Sequence, residues 1–201
     1  RPTEAETLYR RGLAIREKLA AEFPKVPEHR LELARGYSNL GVMFKNLRKA
    51  PEAERLYRTG QELLEKLVDE FPAVPEYRTL LARSYSNLGL LLSETGKMSE
   101  AEQQFRKGIV NSQKLTTEFP AVPEYRAGLA ACYNNLGGMS ARLGKPDDAK
   151  RHFREMLIID EKLVADFPTV PRYRVSLGGG YCNLGHLVRG TGKPAECLDW
   201  F

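Results

Sequence analysis

Cysteine is scarce: the chain of 201 residues has only Cys132, Cys182 and Cys197. The number is odd and no C-x-x-C occurs, so neither a disulfide framework nor a zinc knuckle is indicated. A reducing, cytoplasmic setting is the corresponding expectation. Long apolar runs are missing too. A membrane span needs about 18 consecutive apolar residues, and none is present. The opening "RPTEAETLYRR" has no apolar leader, but it falls partway through a unit that recurs below, so further chain upstream is expected. Alternating β-branched runs and Asn-Gly hairpin signals are absent, which argues against a sheet. Charge of one sign is not concentrated. Thirty-one basic residues face twenty-six acidic ones, for a net +5, and no basic run marks a nucleic-acid face. His29 and His152 are isolated, and no acid pair, triad or metal set can be assembled. The chain therefore reads as a non-enzyme without a cofactor. Its 42% hydrophobic and 28% charged residues suit a soluble folded protein rather than a disordered one.

What is present is a repeat. "FPAVPEYR" occurs at 71–78 and 119–126, with "FPKVPEHR" at 23–30 and "FPTVPRYR" at 167–174, so the phrase returns every 48 residues. A period in this range indicates a stack of supersecondary units. The chain divides into full units 31–78, 79–126 and 127–174, flanked by a partial unit at 1–30 and another at 175–201. One array over 1–201 is expected. Columns recur through it: Leu33, Leu81, Leu129 and Leu177; Tyr37, Tyr85, Tyr133 and Tyr181; an Asn-Leu-Gly trio at 39–41, 87–89, 135–137 and 183–185. Ala53, Ala101 and Ala149 share a slot with Cys197, and Tyr9, Tyr57, Phe105, Phe153 and Phe201 form an aromatic column.

Each unit reads as two helices. Leu33, Tyr37, Leu40 and Phe44 follow one helical face, as do Ala53, Leu56, Tyr57, Leu63, Leu64 and Leu67. Turns such as "ETGKMSEA" separate the two, with glycine supplying a left-handed stop. In the phrase itself, Pro72 stops a helix and Pro75 suits the first turn of the next. Both prolines are thereby used, so "PAVP" is a connector rather than a polyproline ligand. Nine helical segments are expected, the last a short stub from 193. The acids Glu22, Glu70, Glu118 and Asp166 and the arginines Arg30, Arg78, Arg126 and Arg174 at the two ends of the phrase are expected to brace each joint.

Tyr37-x-x-Leu40-Gly41-x-x-Phe44, followed by Ala53-x-x-x-Tyr57, resembles the tetratricopeptide repeat signature W-x-x-L-G-x-x-Y…A-x-x-x-F, with Tyr in place of Trp. The unit is longer than the family's, which has about 34 residues. "AETLYRRGLAIREKL" is similar to the longer kinesin-light-chain-type repeats, and the connector to arrays in large bacterial signalling proteins, some of them Ser/Thr kinases. The resemblance implies an all-α fold, a right-handed superhelical solenoid of antiparallel helix pairs. It also implies a scaffold that binds a peptide or protein segment in a concave groove lined by the first helix of each pair.

On that groove the resemblance places Asn39, Asn87, Asn135 and Asn183, whose amides would pair with a ligand's main chain. Around them stand Arg35, Ser38 and Lys45, then Arg83 and Ser86, then Asn134 and Arg142, and lastly Cys182, His186 and Arg189. Arginine and lysine outnumber acid among these positions, so an acidic segment is the expected ligand. Cys182 and His186 share a face at i, i+4 but are too few to hold a metal. The alternatives are self-association through the terminal repeats, and service as the regulatory segment of a larger signalling protein such as a bacterial Ser/Thr kinase.

Overall fold

The computed structural model describes residues 2–190, and every element in them is helical. The helices are α1 (Pro2–Glu22), α2 (Pro27–Asn46), α3 (Ala50–Glu70), α4 (Pro75–Glu94), α5 (Met98–Glu118), α6 (Pro123–Arg142), α7 (Pro146–Asp166) and α8 (Pro171–Gly190). The ninth segment, expected from 193, lies outside the described residues. The chain forms two compact units, residues 1–104 and 105–201, with the boundary inside α5.

Both kinds of joint follow from local chemistry. Between pairs, the phrase Phe-Pro-x-Val closes a β-turn with proline at its second position. Val26, Val74, Val122 and Val170 each donate a backbone N–H to the carbonyl of the preceding phenylalanine, at 3.0–3.1 Å. The following proline then opens the next helix, whose valine cap has extended backbone and no side-chain capping bond. Within a pair, the chain leaves the first helix through a Schellman turn. Lys49, Lys97 and Lys145 donate back to Phe44, Leu92 and Ser140 at 2.8–3.0 Å. The residue before each lysine is left-handed: Gly96 at φ 83°, Gly144 at φ 67° and, without glycine's freedom, Arg48 at φ 58°. A side chain in that region costs about 1–2 kcal/mol.

In unit 1, Gly41 of α2 abuts Tyr57 of α3 while Gly60 of α3 abuts Ala34 of α2, so the two helices run antiparallel. A Cβ at Gly41 would stand 2.6 Å from the Tyr57 ring, and one at Gly137 would stand 2.7 Å from Phe153. At Gly41 and Gly137 the glycine of the Asn-Leu-Gly trio thus admits an aromatic ring from the second helix. Leu31, Ala34, Leu64, Leu67, Tyr77, Leu81 and Tyr85 form the core of unit 1. In unit 2 a core cluster at other repeat positions is formed by Ala130, Ala149, Phe153, Met156, Leu157, Leu184 and Val188.

The tyrosine column has a reason of its own. Tyr37, Tyr85 and Tyr181 donate their phenol protons to Glu17, Glu65 and Glu161 of the preceding second helix, at 2.7–2.8 Å. Burial and these carboxylates raise the Tyr37 phenol to about 12 and push Tyr85 up as well. In the remaining repeat Gln113 stands in place of the acid, and the bond reverses: its amide donates to the Tyr133 phenol at 3.2 Å. An indole N–H at this position could not accept it.

The brace at the connectors differs from expectation. The arginine of one phrase reaches forward 40 residues to the acid before the next. Arg30 grips Glu70 with both terminal nitrogens at 2.6 and 2.8 Å, and Arg126 holds Asp166 at 2.6 Å. Each guanidinium also lies over the next phenylalanine, 6.0 Å from the Phe71 centroid and 5.7 Å from that of Phe167. The joint's own acid is not the partner in either case. Arg78 additionally reaches back to the Pro72 carbonyl at 3.4 Å, which helps close its own connector.

Candidate functional site

The first helices α2 and α4 stand side by side in unit 1. Because their repeats are in register, a residue on α2 faces the one about 48 positions later on α4. Arg35, Ser38 and Asn39 of α2 and Arg83, Ser84 and Asn87 of α4 thereby surround one cavity of about 230 Å³. Its floor is apolar: Ala34, Leu80 and Leu64, with Tyr57 and Gly60 of α3 behind. Five of the residues singled out from the sequence, Arg35, Ser38, Asn39, Arg83 and Asn87, converge here. Ser84 and the α3 contribution were not anticipated. Their signal was a break in the columns: the slot of Gly12, Gly60 and Gly108 holds Met156 on α7.

Lys45 and Ser86 do not line this cavity. Lys45 lies a few turns away and is paired with Glu94 at 2.8 Å. Arg35 is likewise engaged, by Glu32 at 3.0 Å and by Glu76. The basic excess expected on this surface is therefore partly neutralised, by Glu32 on the same helix and by Glu76 and Glu94 at the two ends of α4, and the latter two pairings depend on the register between helices. Arg83 is exposed and makes no ion pair among the described residues. The Tyr57 phenol is pushed up to about 12, chiefly by burial and secondarily by Glu94.

In unit 2 the same face is built differently. Ala131 and Gly179 stand where unit 1 has Arg35 and Arg83. Asn183 donates its amide to the Asn134 carbonyl oxygen at 2.9 Å, so one amide of the expected ladder is tied to a neighbour on the same surface. Asn135 is half-buried on α6, while Arg142, Cys182, His186 and Arg189 are exposed. Arg172 and Glu124 link the first turns of α8 and α6 at 2.6 Å. Behind this face, α5 and α7 flank an open depression of about 510 Å³, walled by Ile109 and Val110 and floored by Tyr133, Leu136 and His152. The His152 ring stacks on Tyr133 at 6.3 Å. No group of three or more histidine, cysteine, aspartate or glutamate side chains suited to a metal occurs among the described residues. No helix among them is long and apolar enough to cross a membrane.

The tetratricopeptide repeat model matches residues 81–110 and 129–168. No curated protein matches the chain. Among solved structures, BtubC (BKLC) from P. vanneervenii superposes with a TM-score of 0.61 at 18% identity, over 98% of this chain and 87% of that one. A Podosopora anserina kinesin light chain structure of nearly identical TPR-like repeats gives 0.59 at 19% identity, over 98% and 82%. The apo form of RapI gives 0.65 at 14% identity over 92% of this chain, which spans only 45% of RapI. These likenesses concern the fold. The matched model makes residues 81–110 and 129–168 tetratricopeptide repeats, and the paired helices with their glycine–aromatic contacts make the described residues an all-α array of helix pairs of that type.

Proposed function

We propose that the chain is a protein-interaction scaffold whose first helices α2 and α4 hold an extended, acidic segment of a partner. The observation that carries this is the convergence of Arg35, Ser38, Asn39, Arg83 and Asn87 on one cavity with an apolar floor. Amides offer a donor and an acceptor to a peptide unit, guanidiniums attract carboxylates, and a concave apolar site with a few polar groups is the ordinary form of a binding site. No chemistry beyond recognition is required of these residues. The test is fluorescence anisotropy with a labelled eight-residue Asp/Glu-rich peptide. The double variant Asn39→Ala/Asn87→Ala is expected to weaken binding about tenfold or more with an unchanged melting curve. An unchanged affinity would remove the groove from the reading.

A second reading is self-association. Leu8 and Ile15 of α1 are each 62% exposed, and Val175 of α8 is 74% exposed, whereas Leu13 of α1 is buried. Repeat arrays shield such faces with polar caps. Light scattering over a dilution series tests it: the monomer mass at the highest concentration rejects the idea. Service within a larger cytoplasmic signalling protein, such as a bacterial Ser/Thr kinase, would use the same surface, with the array as its docking segment.

A further inference from the structure

Two columns of small residues face each other between the second helix of one pair and the first helix of the next. In unit 1 they contribute Gly60 on α3 and Ser84 on α4, and both line the cavity. In unit 2 the same positions are Gly108 on α5 and Cys132 on α6, and then Met156 on α7 and Gly180 on α8. There the space is full: a Cβ on Gly180 would stand 1.9 Å from the Met156 methyl and 2.9 Å from Leu157 Cδ2. Met156 itself is 2% exposed. The α7–α8 contact therefore fills with its own side chain the volume that the α3–α4 contact leaves open.

The open volume has a shape and a charge. A dry cavity of about 150 Å³ lined by aliphatic and aromatic groups takes up benzene, so about 230 Å³ admits a side chain of leucine or phenylalanine size. Leu64 and Leu80 form its apolar floor. At its mouth Arg35 is occupied by Glu32 and Glu76, while Arg83 is exposed without an ion pair among the described residues. The mouth thus has one guanidinium to offer, and unit 2, with Gly179 at that position, has none.

Resting on the groove reading above, we infer that unit 1 selects its partner by one large apolar side chain, seated between Gly60 and Ser84, with an acidic residue within two positions of it on Arg83. The partner is a peptide segment of apolar-plus-acidic character. The α7–α8 contact of unit 2, plugged by Met156, makes no such selection.

Labelled eight-residue peptides with a Gly/Ser frame, two aspartates and a central Leu, Phe or Ala test this by anisotropy on the whole chain. The Leu and Phe peptides are expected to bind at least about tenfold more tightly than the Ala peptide, as burial of an aliphatic side chain implies. Gly60→Met should erase that preference. Because a Cβ at Gly60 comes within 3.2 Å of the Ala34 carbonyl, Ser84→Leu fills the cavity from the opposite wall as an independent check, each variant being melted first. Arg83→Glu should weaken the aspartate-bearing peptides and not a lysine-bearing set. If all three peptides bind equally and both filling variants leave affinity unchanged, this inference is overturned while the groove reading stands. If no peptide binds, both are overturned.

Discussion

Units 1 and 2 share a frame and differ in what they bury. Leu67 and Leu163 occupy the same slot and are both fully enclosed. Three residues before each, the slot holds Leu64 in unit 1 and Asp160 in unit 2, the latter 1% exposed. Ser176 donates to one oxygen of Asp160 at 2.7 Å, and the other oxygen has no partner. Where unit 1 has a cavity over an apolar floor, unit 2 has a methionine plug beside a buried acid. The repeat thus specifies the backbone and the outermost core columns. The layer between consecutive pairs is free to vary, and it is there that the two units acquire different properties.

The sharpest check on that frame is a matched truncation. Leu67→Ala and Leu163→Ala should each destabilise by about 2–5 kcal/mol, read by hydrogen exchange resolved to the helices of each unit. Costs that differ by more than about 2 kcal/mol would show that the two slots are not equivalent, since the cost of a cavity depends on how its surroundings collapse.

A smaller effect is expected where the units differ. Asp160→Leu, which copies Leu64, should stabilise unit 2 by about 1–3 kcal/mol, because it removes a buried oxygen without a partner. Burial raises the Asp160 carboxyl above its ordinary value, against the lowering by Ser176. Its neutral form is therefore favoured in the folded state. The associated stability is complete below the unfolded value of about 3.9 and is lost as pH rises through the higher folded value. Glu70 in unit 1 has the opposite sign. The hydrogen bonds from Arg30 hold it below its ordinary value, so its contribution is present above about 4.3 and is lost as pH falls through the lower folded value. Asp160→Asn should abolish the first dependence and leave the second intact. An Asp160→Asn melt with the wild-type pH profile would remove Asp160 from this account.

The smallest expected effect concerns the turns. Arg48→Gly should stabilise by about 1 kcal/mol, since only glycine meets the left-handed position freely. Gly144→Ala, at the matching turn of unit 2, should destabilise by a similar amount. Thermal melts that move the same way for both would contradict the turn geometry.

The helix limits were legible because they are written in prolines and glycines whose backbone demands are local: Pro27, Pro75, Pro123 and Pro171 each open a helix as expected. The surface made of α2 and α4 was legible in part, since Arg35, Asn39, Arg83 and Asn87 follow from the family pattern. Three features were not. The Tyr37–Glu17 bond joins residues 20 apart on different helices. The pairing of Arg35 with Glu76 depends on the register between helices. The cavity at Gly60 is an absence of atoms, and it becomes visible only when Met156 is seen filling its counterpart. All three are properties of surfaces in contact, and periodicity within one helix carries no information about them.

The forward reach of Arg30 to Glu70 and of Arg126 to Asp166 has a consequence for how such a chain can grow. Each clasp joins residues 40 apart in a 48-residue period, so its two halves belong to successive copies. Duplicating any 48-residue stretch, wherever the cut falls, regenerates an arginine and an acid at the same offset and creates one more clasp. An insertion between a clasp's arginine and its acid that is not a multiple of the period breaks the offset. The gene can therefore lengthen its product without respecting the boundary of a unit, provided that the step is the whole period.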